Sequence, residues 1–155
     1  MTARTERRSA PRAPKELRHR AREAALQMLY QWEVGRLSML EVHETFWSHD
    51  DETAQPLGAE LREFAMELAD GVAGTVAQLD PMIAEAAEHW RVERMNVMDR
   101  LILRLALYEF LHAPGTDAKV IINEALELAR SFSGDEAVRF INGILDALRR
   151  TLGRA

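Results

Sequence analysis

The stretch that decides the fold is VMDRLILRLALYEFLH, from Val97 to His112. Drawn as a helix with about 3.6 residues per turn, it has apolar side chains on every face. Because a helix of a soluble protein that is apolar all round is enclosed by other elements, we predict a central core helix here. A membrane span is excluded because the apolar run is short and carries Arg104. We expect Arg104 to keep its stem among leucines and its guanidinium on an acid or on helix-end carbonyls.

Apolar residues recur at helical spacing in six further segments of the chain. These segments are about 15–34, 38–48, 58–79, 80–90, 117–132 and 133–150. No segment alternates polar and apolar residues with the period of a strand. The sequence therefore predicts an all-α fold of about seven helices, in two packed helical halves around the central apolar helix. The halves are expected at about 15–79 and 80–150, within one all-helical domain.

Local signals predict where several of these helices begin. The segments Ser38–Glu41 and Ser133–Glu136 both have the spacing of a capping box. Asp80-Pro81 has the pattern of an N-cap residue followed by proline in the first helical position. Asn96, together with Asp99, can open the core helix. We therefore place four helix starts at these positions.

Charge is distributed unevenly along the 155 residues. The net charge is −5, but residues 1–22 hold eight basic and two acidic groups, a net of +6, which leaves −11 for the rest. A basic arm on an acidic body is a pattern of nucleic-acid-binding proteins, and a solvated tail without a ligand is the equal alternative. Residues 1–14 have two prolines and no apolar periodicity, so we expect them to be disordered.

No motif in the chain indicates catalysis. There is no cysteine, which excludes disulfides, thiolate metal sites and thiol catalysis. The five histidines do not occur in the spacing of a metal site, so we expect no metal. Phosphate-loop, dinucleotide and serine-nucleophile motifs are missing, and we expect neither a cofactor nor enzymatic activity. Without a signal peptide or a spanning segment, the cytoplasm is the expected location.

Acidic and aromatic residues are explained by ordinary structure. The segment His49–Leu57, which contains Asp50 and Asp51, is acidic and has no apolar face, so it predicts a solvated loop. Methionine and aromatic side chains fall on the apolar stripes of the predicted helices. Core packing therefore explains them better than a cofactor site does.

Four blocks of the sequence resemble the NusB family. In chain order they are RHRAREAALQMLYQW at 18–32, LILRLALYE at 101–109, VIINEALELARSF at 120–132 and RFINGILD at 139–146. The resemblance covers essentially residues 15–150. It implies an all-α transcription antitermination factor that binds boxA RNA and NusE, a protein of the small ribosomal subunit. RNA polymerase in the antitermination complex is then a further partner.

The resemblance also assigns RNA-binding residues. Arg18, Arg20 and Arg22 match the arginine-rich RNA motif of the family. Lys15 extends the same basic edge of the first helix, and all of these residues are expected at the edge of its buried stripe or away from it. Such side chains attract phosphates and stack on unpaired bases.

Two further assignments follow from the later blocks. Arg139 and Phe140 match a basic–aromatic pair beside the RNA path, although Phe140 lies next to the apolar stripe of the last helix and core packing is the stronger alternative. Asp99 matches an acidic position on the side that faces NusE. The structural alternative for Asp99 is that it only helps to cap the core helix.

The sequence departs from the family pattern in two places, and other functions stay open. His19 stands where the family often has arginine, and residues 1–14 extend beyond the usual start. One alternative is a helical interaction or dimerisation protein that binds no RNA. Another is the NusB-like accessory domain of RNA methyltransferases, which would require a downstream catalytic domain.

Overall fold

The computed structural model describes residues 11–88 and 90–155, so most of the predicted disordered arm, 1–10, lies outside the described residues. This part of the chain contains α-helices and one short 3-10 helix. They are α1 (Lys15–Glu33), α2 (Met39–Asp51), α3 (Ala59–Ala86), the 3-10 helix Val92–Arg94, α4 (Val97–His112), α5 (Ala118–Phe132) and α6 (Asp135–Thr151). The described residues contain no strand, and the predicted all-α fold class is confirmed.

The described chain forms two compact units, residues 11–74 and residues 75–155. In the first unit, α1 packs against α2. In the second unit, α4, α5 and α6 pack against one another. The helix α3 runs through the boundary and is interrupted at Thr75, whose φ of −128° and ψ of 19° are not helical. The third and fourth predicted helices are therefore one element with an internal break.

Two of the predicted helix starts are wrong. Asp80 and Pro81 lie inside α3, where the residues before them are already helical, and the Asp80 carboxylate accepts two hydrogen bonds from Arg104. The capping box at Ser133 does not form, because the cap position of α6 is Gly134, one residue later, and the Ser133 hydroxyl donates to Asp99. The helix α6 starts after Gly134, which has a φ of 131° and makes no side-chain cap. In both cases the side chain that the local pattern assigned to a cap binds a residue at least 24 positions away in the chain.

The other two predicted starts are confirmed. Glu41 donates its backbone N–H to Ser38 Oγ at 3.1 Å, and Ser38 donates its own to Glu41 Oε1 at 2.9 Å, which completes a capping box. Asn96 Oδ1 accepts the Met98 backbone N–H at 2.9 Å and caps α4.

The core helix α4 has the predicted bounds, and seven consecutive residues from Leu101 to Leu107 are buried. Each fully buried leucine or isoleucine contributes roughly 1.5–3 kcal/mol relative to exposure. A helix buried on successive residues has no face left for water, as the sequence predicts. Among the helices that the structure describes, none is both long enough and apolar enough to cross a membrane.

The charge of Arg104 is neutralised inside this core. Arg104 is 5% exposed, and its Nε and Nη2 donate to the two carboxylate oxygens of Asp80, both at 2.8 Å. This bidentate geometry is the strongest form of an arginine–carboxylate pair. The expectation that Arg104 meets an acid is therefore confirmed, and the pair ties the second part of α3 to α4.

We predict that Asp80→Ala destabilises the protein strongly. Removing one partner of a fully buried ion pair costs about 3–5 kcal/mol, and because the Asp80 side chain is 27% exposed we expect about 2–4 kcal/mol here. Urea unfolding followed by circular dichroism measures this change. Asp146→Ala, which removes a partly exposed acid that pairs with Arg149 and Arg150 in the same unit, is the matched control and should shift the midpoint much less. Equal midpoints for both variants would contradict the assigned role of Asp80.

Candidate nucleic-acid and partner interface

The basic residues of the first helix differ in how far they reach solvent. Lys15 is exposed at the start of α1, and Arg18 and Arg20 are half-buried. The Arg18 guanidinium donates from Nη1 to the backbone carbonyl of Ala13, just before the helix. Lys15 and Arg18 thus lie where the irregular segment 11–14 enters α1. This junction is a surface with at least two cations close together in the chain.

Arg20 is held by contacts to the connection between α2 and α3. Its Nη2 donates to Asp50 Oδ1 at 3.0 Å, and its Nη1 donates to the Gln55 carbonyl at 2.7 Å. The Arg20 side chain remains 31% exposed. One part of the guanidinium is therefore accessible, while two of its N–H groups are already engaged.

Arg22 does not lie at the edge of the buried stripe, and this part of the sequence prediction is wrong. The residue is only 2% exposed, and its guanidinium carbon lies 5.4 Å from the centre of the Phe64 ring. A cation over an aromatic face gains electrostatic attraction in addition to packing. In this position Arg22 stabilises the contact between α1 and α3, and RNA would have to displace it to reach its charge.

Asp50 also departs from the sequence prediction, which placed it in a solvated loop. The helix α2 extends to Asp51, and the Asp50 side chain is only 14% exposed. Its Oδ2 accepts the Leu57 backbone N–H at 2.9 Å and Arg62 Nη2 at 3.1 Å, in addition to the Arg20 bond on Oδ1. Asp50 thus fastens the segment after α2. The acidic composition of the segment did not predict these contacts, because the partners of Asp50 lie up to 30 residues away in the chain.

A second candidate surface lies within residues 75–155. It is a groove of about 500 Å³. Its lining residues are Trp90, Arg94, Met95, Asn96, Asp99, Ser133, Glu136, Ala137 and Phe140. The groove therefore contains two carboxylates, one guanidinium and two large aromatic rings. It brings together Asp99 and Phe140, which the resemblance assigns to different ligands.

The two predicted residues in this groove have defined contacts. Asp99 lies in the first turn of α4, and its Oδ1 accepts a hydrogen bond from Ser133 Oγ at 2.7 Å. The side chain that caps α4 is that of Asn96, and the Asp99 carboxylate does not act as the cap. Phe140 is half-buried and packs edge-on against Trp90, with ring centres 5.5 Å apart. Arg139, its neighbour on α6, is exposed.

Trp90 is the residue that sequence reasoning missed. It was expected on the apolar stripe of a helix that runs to residue 90, but α3 ends at Ala86 and Trp90 is 58% exposed. A large exposed aromatic ring beside a groove is a common binding feature. The exposed pair Arg91–Glu93 follows it, and hydrogen bonds from the backbone and from Arg91 lower the pKa of Glu93.

Comparison with known proteins gives consistent results. The model of the NusB family matches residues 19–150. The transcription antitermination protein NusB of Koribacter versatilis is 45% identical over 135 residues, which covers 87% of this chain and 90% of that protein. The NusB of Solibacter usitatus is 42% identical over 139 residues, which covers 87% of this chain and 90% of that protein.

Solved structures show the same fold. The structure of T. maritima NusB is 28% identical, has a TM-score of 0.75 and covers 92% of both chains. A NusB chain crystallised with NusE and dsRNA also has a TM-score of 0.75, at 21% identity, and covers 88% of this chain and 98% of its own. A family match over most of the chain, together with relatives above 40% identity, settles the assignment. The chain belongs to the NusB family.

Proposed function

We propose that this protein is a transcription antitermination factor that binds boxA-type RNA together with NusE. The observation that carries the proposal is the family match over residues 19–150, with relatives named as antitermination proteins. A chain of the same fold was crystallised with NusE and dsRNA, which supports both ligand classes. Action in the cytoplasm within the RNA polymerase antitermination complex belongs to the same proposal.

The RNA contacts in this proposal are made by two groups of residues. In the first unit they are Lys15, Arg18 and Arg20, which reach solvent at the start of α1. Arginine is suited to this task because its planar guanidinium matches phosphate and stacks on bases. Arg22 supports the first group from inside, since its burial against Phe64 argues against direct contact with RNA.

In the second unit the proposed RNA contacts are Arg139 and Phe140. Arg139 is exposed and supplies charge, while Phe140 presents part of its ring at the groove. An aromatic side chain that is not fully enclosed can stack on an unpaired base. Phe140 is half-buried and not part of the fully buried core, which supports this role.

The NusE contact in this proposal includes Asp99. The body of the chain after residue 22 carries a net charge of −11, which favours association with a basic ribosomal protein. The Ser133 hydroxyl orients one oxygen of Asp99, and Asp99 is one of the residues that line the groove. The Asp99 side chain is thus held in position at the groove.

We predict that Arg18→Ala/Arg20→Ala weakens RNA binding and flattens its salt dependence. Each phosphate neutralised on a single strand contributes about −0.7 to the log–log slope, so two lost contacts should reduce the slope by about 1.4. The measurement is a filter-binding titration with boxA-like RNA over a salt series. A scrambled single strand tests whether binding depends on sequence, and a duplex of the boxA-like RNA with its complement tests whether binding requires a single strand. Each RNA is titrated with and without NusE.

The control for this experiment removes the same charge elsewhere. Arg130→Ala/Arg150→Ala replaces two exposed arginines near the C-terminal ends of α5 and α6. It should lower RNA affinity much less, with a slope near that of the unchanged protein. If the α1 variant keeps its helicity and binds RNA with the affinity and salt slope of the unchanged protein, Arg18 and Arg20 are not RNA contacts. No RNA binding by the unchanged protein would instead favour an interaction protein that does not bind RNA.

We predict that Asp99→Asn weakens NusE binding by about three- to tenfold at low salt, because it removes a charge from a complementary interface. Asparagine keeps an oxygen that can accept the Ser133 hydrogen bond, so the local structure should persist. Asp117→Asn makes the same charge change at an exposed position of the same unit and serves as the control. Isothermal titration with purified NusE at two salt concentrations measures the difference. Identical affinities for the two variants would assign Asp99 a structural role only.

A further inference from the structure

The two oxygens of the Asp50 carboxylate have separate partners. Oδ2 accepts the Leu57 backbone N–H at 2.9 Å and Arg62 Nη2 at 3.1 Å, so it fastens the segment between α2 and α3. Oδ1 accepts Arg20 Nη2 at 3.0 Å. Oδ2 therefore makes the contacts that hold the segment between α2 and α3, whereas Oδ1 makes the contact with Arg20, the candidate RNA-binding residue. Arg20 can leave without breaking the Oδ2 bonds.

We propose that Asp50 is an internal competitor for the phosphate that Arg20 binds, and thereby sets the RNA affinity of this protein. The inference rests on the proposed function, because it takes Arg20 as an RNA contact. In the free protein, Oδ1 of Asp50 occupies the site on the guanidinium that an RNA phosphate oxygen would take. On binding, the phosphate replaces Oδ1, and Asp50 keeps Leu57 and Arg62.

The chemistry of the groups supports this exchange. Carboxylate and phosphate oxygens present the same charge-assisted acceptor to an arginine N–H, so one can replace the other with little change in geometry. The Arg20 side chain is 31% exposed, so an incoming strand can reach it without unfolding α1. Its second bond, from Nη1 to the exposed Gln55 carbonyl at 2.7 Å, keeps the guanidinium near the surface while Oδ1 is exchanged.

The size of the effect follows from the kind of ion pair. A partly exposed pair contributes modestly to stability, and losing it before RNA binds should raise affinity by about two- to fivefold. A role of Asp50 in presenting Arg20 to RNA would have the opposite sign, because losing it would leave the arginine less well ordered. The direction of the change therefore distinguishes competition from positioning.

The test compares Asp50→Asn with Asp51→Asn in binding to boxA-like single-stranded RNA. Asp51 is 61% exposed and pairs with Arg62, whereas Arg20 binds Asp50 and Gln55, so Asp51 provides a charge-matched control one residue away. The amide oxygen that replaces Oδ2 can still serve Leu57 and Arg62, while the NH2 group facing Arg20 cannot accept its hydrogen bond. We expect Asp50→Asn to bind about two- to fivefold more tightly than Asp51→Asn.

The same two substitutions in an Arg20→Ala background complete the experiment. Without Arg20 the difference between the two variants should disappear, because there is no guanidinium to release. Arg20→Ala alone tests the underlying assumption: if it leaves RNA affinity unchanged, the role of Arg20 in the proposed function fails, and the competition fails with it. If Arg20→Ala weakens binding but Asp50→Asn equals Asp51→Asn or binds less tightly, only the competition is overturned.

A measurement on the unchanged protein decides the question if Asp50→Asn does not fold. The side-chain carboxyl ¹³C resonances of Asp50 and Asp51 report the partners of each acid as RNA is added. We expect the Asp50 and Arg20 side-chain resonances to shift at saturation while that of Asp51 stays in place. Unshifted Asp50 and Arg20 resonances in an RNA-saturated sample would show that the pair survives binding, and would overturn the proposal.

Discussion

The positive charge of Arg104 lies in a helix that has no exposed face, and the second unit depends on how that charge is neutralised. Moving a guanidinium out of water costs several kcal/mol unless a partner restores its hydrogen bonds. Asp80 does this with both carboxylate oxygens, so the end of α3 is fixed against α4. The helix α4 then serves as the support on which α5 and α6 pack, and its first turn carries Asp99 to the groove.

The parts of the structure that the sequence predicted are those that depend on local or pattern-based physics. The bounds of α4, its enclosure and its cap by Asn96 follow from an apolar run and from one side-chain oxygen that accepts the backbone N–H two residues later. The capping box at Ser38 is equally local. The candidate site residues came from resemblance to a family, and no periodicity would have selected Asp99 or Arg139. Family membership is established by the match, whereas residue roles rest on proposals.

The parts that could not be predicted depend on polar side chains that meet partners far along the chain. Asp80 and Ser133 have the local pattern of caps but bind Arg104 and Asp99 instead. Helical spacing placed Arg22 at the edge of the buried stripe of α1, yet it is buried and its guanidinium lies over the ring of Phe64, 42 residues later. Composition reports how many charges a segment has. It does not show which of these charges form hydrogen bonds or ion pairs within the folded protein. For an RNA-binding surface, that difference determines how many cations can contact phosphates.

In the described chain, residues 11–74 of the first unit precede residues 75–155 of the second. Because the ribosome delivers a protein from its N-terminus, residues 11–74 emerge before the helices of the second unit are made. The contacts of Arg20 with Asp50 and of Arg22 with Phe64 join residues of this first stretch alone. The N-terminal unit can acquire these contacts during synthesis. The apolar surface of α4 is then unprotected only until the next two helices, which are its direct neighbours in the chain, have been translated.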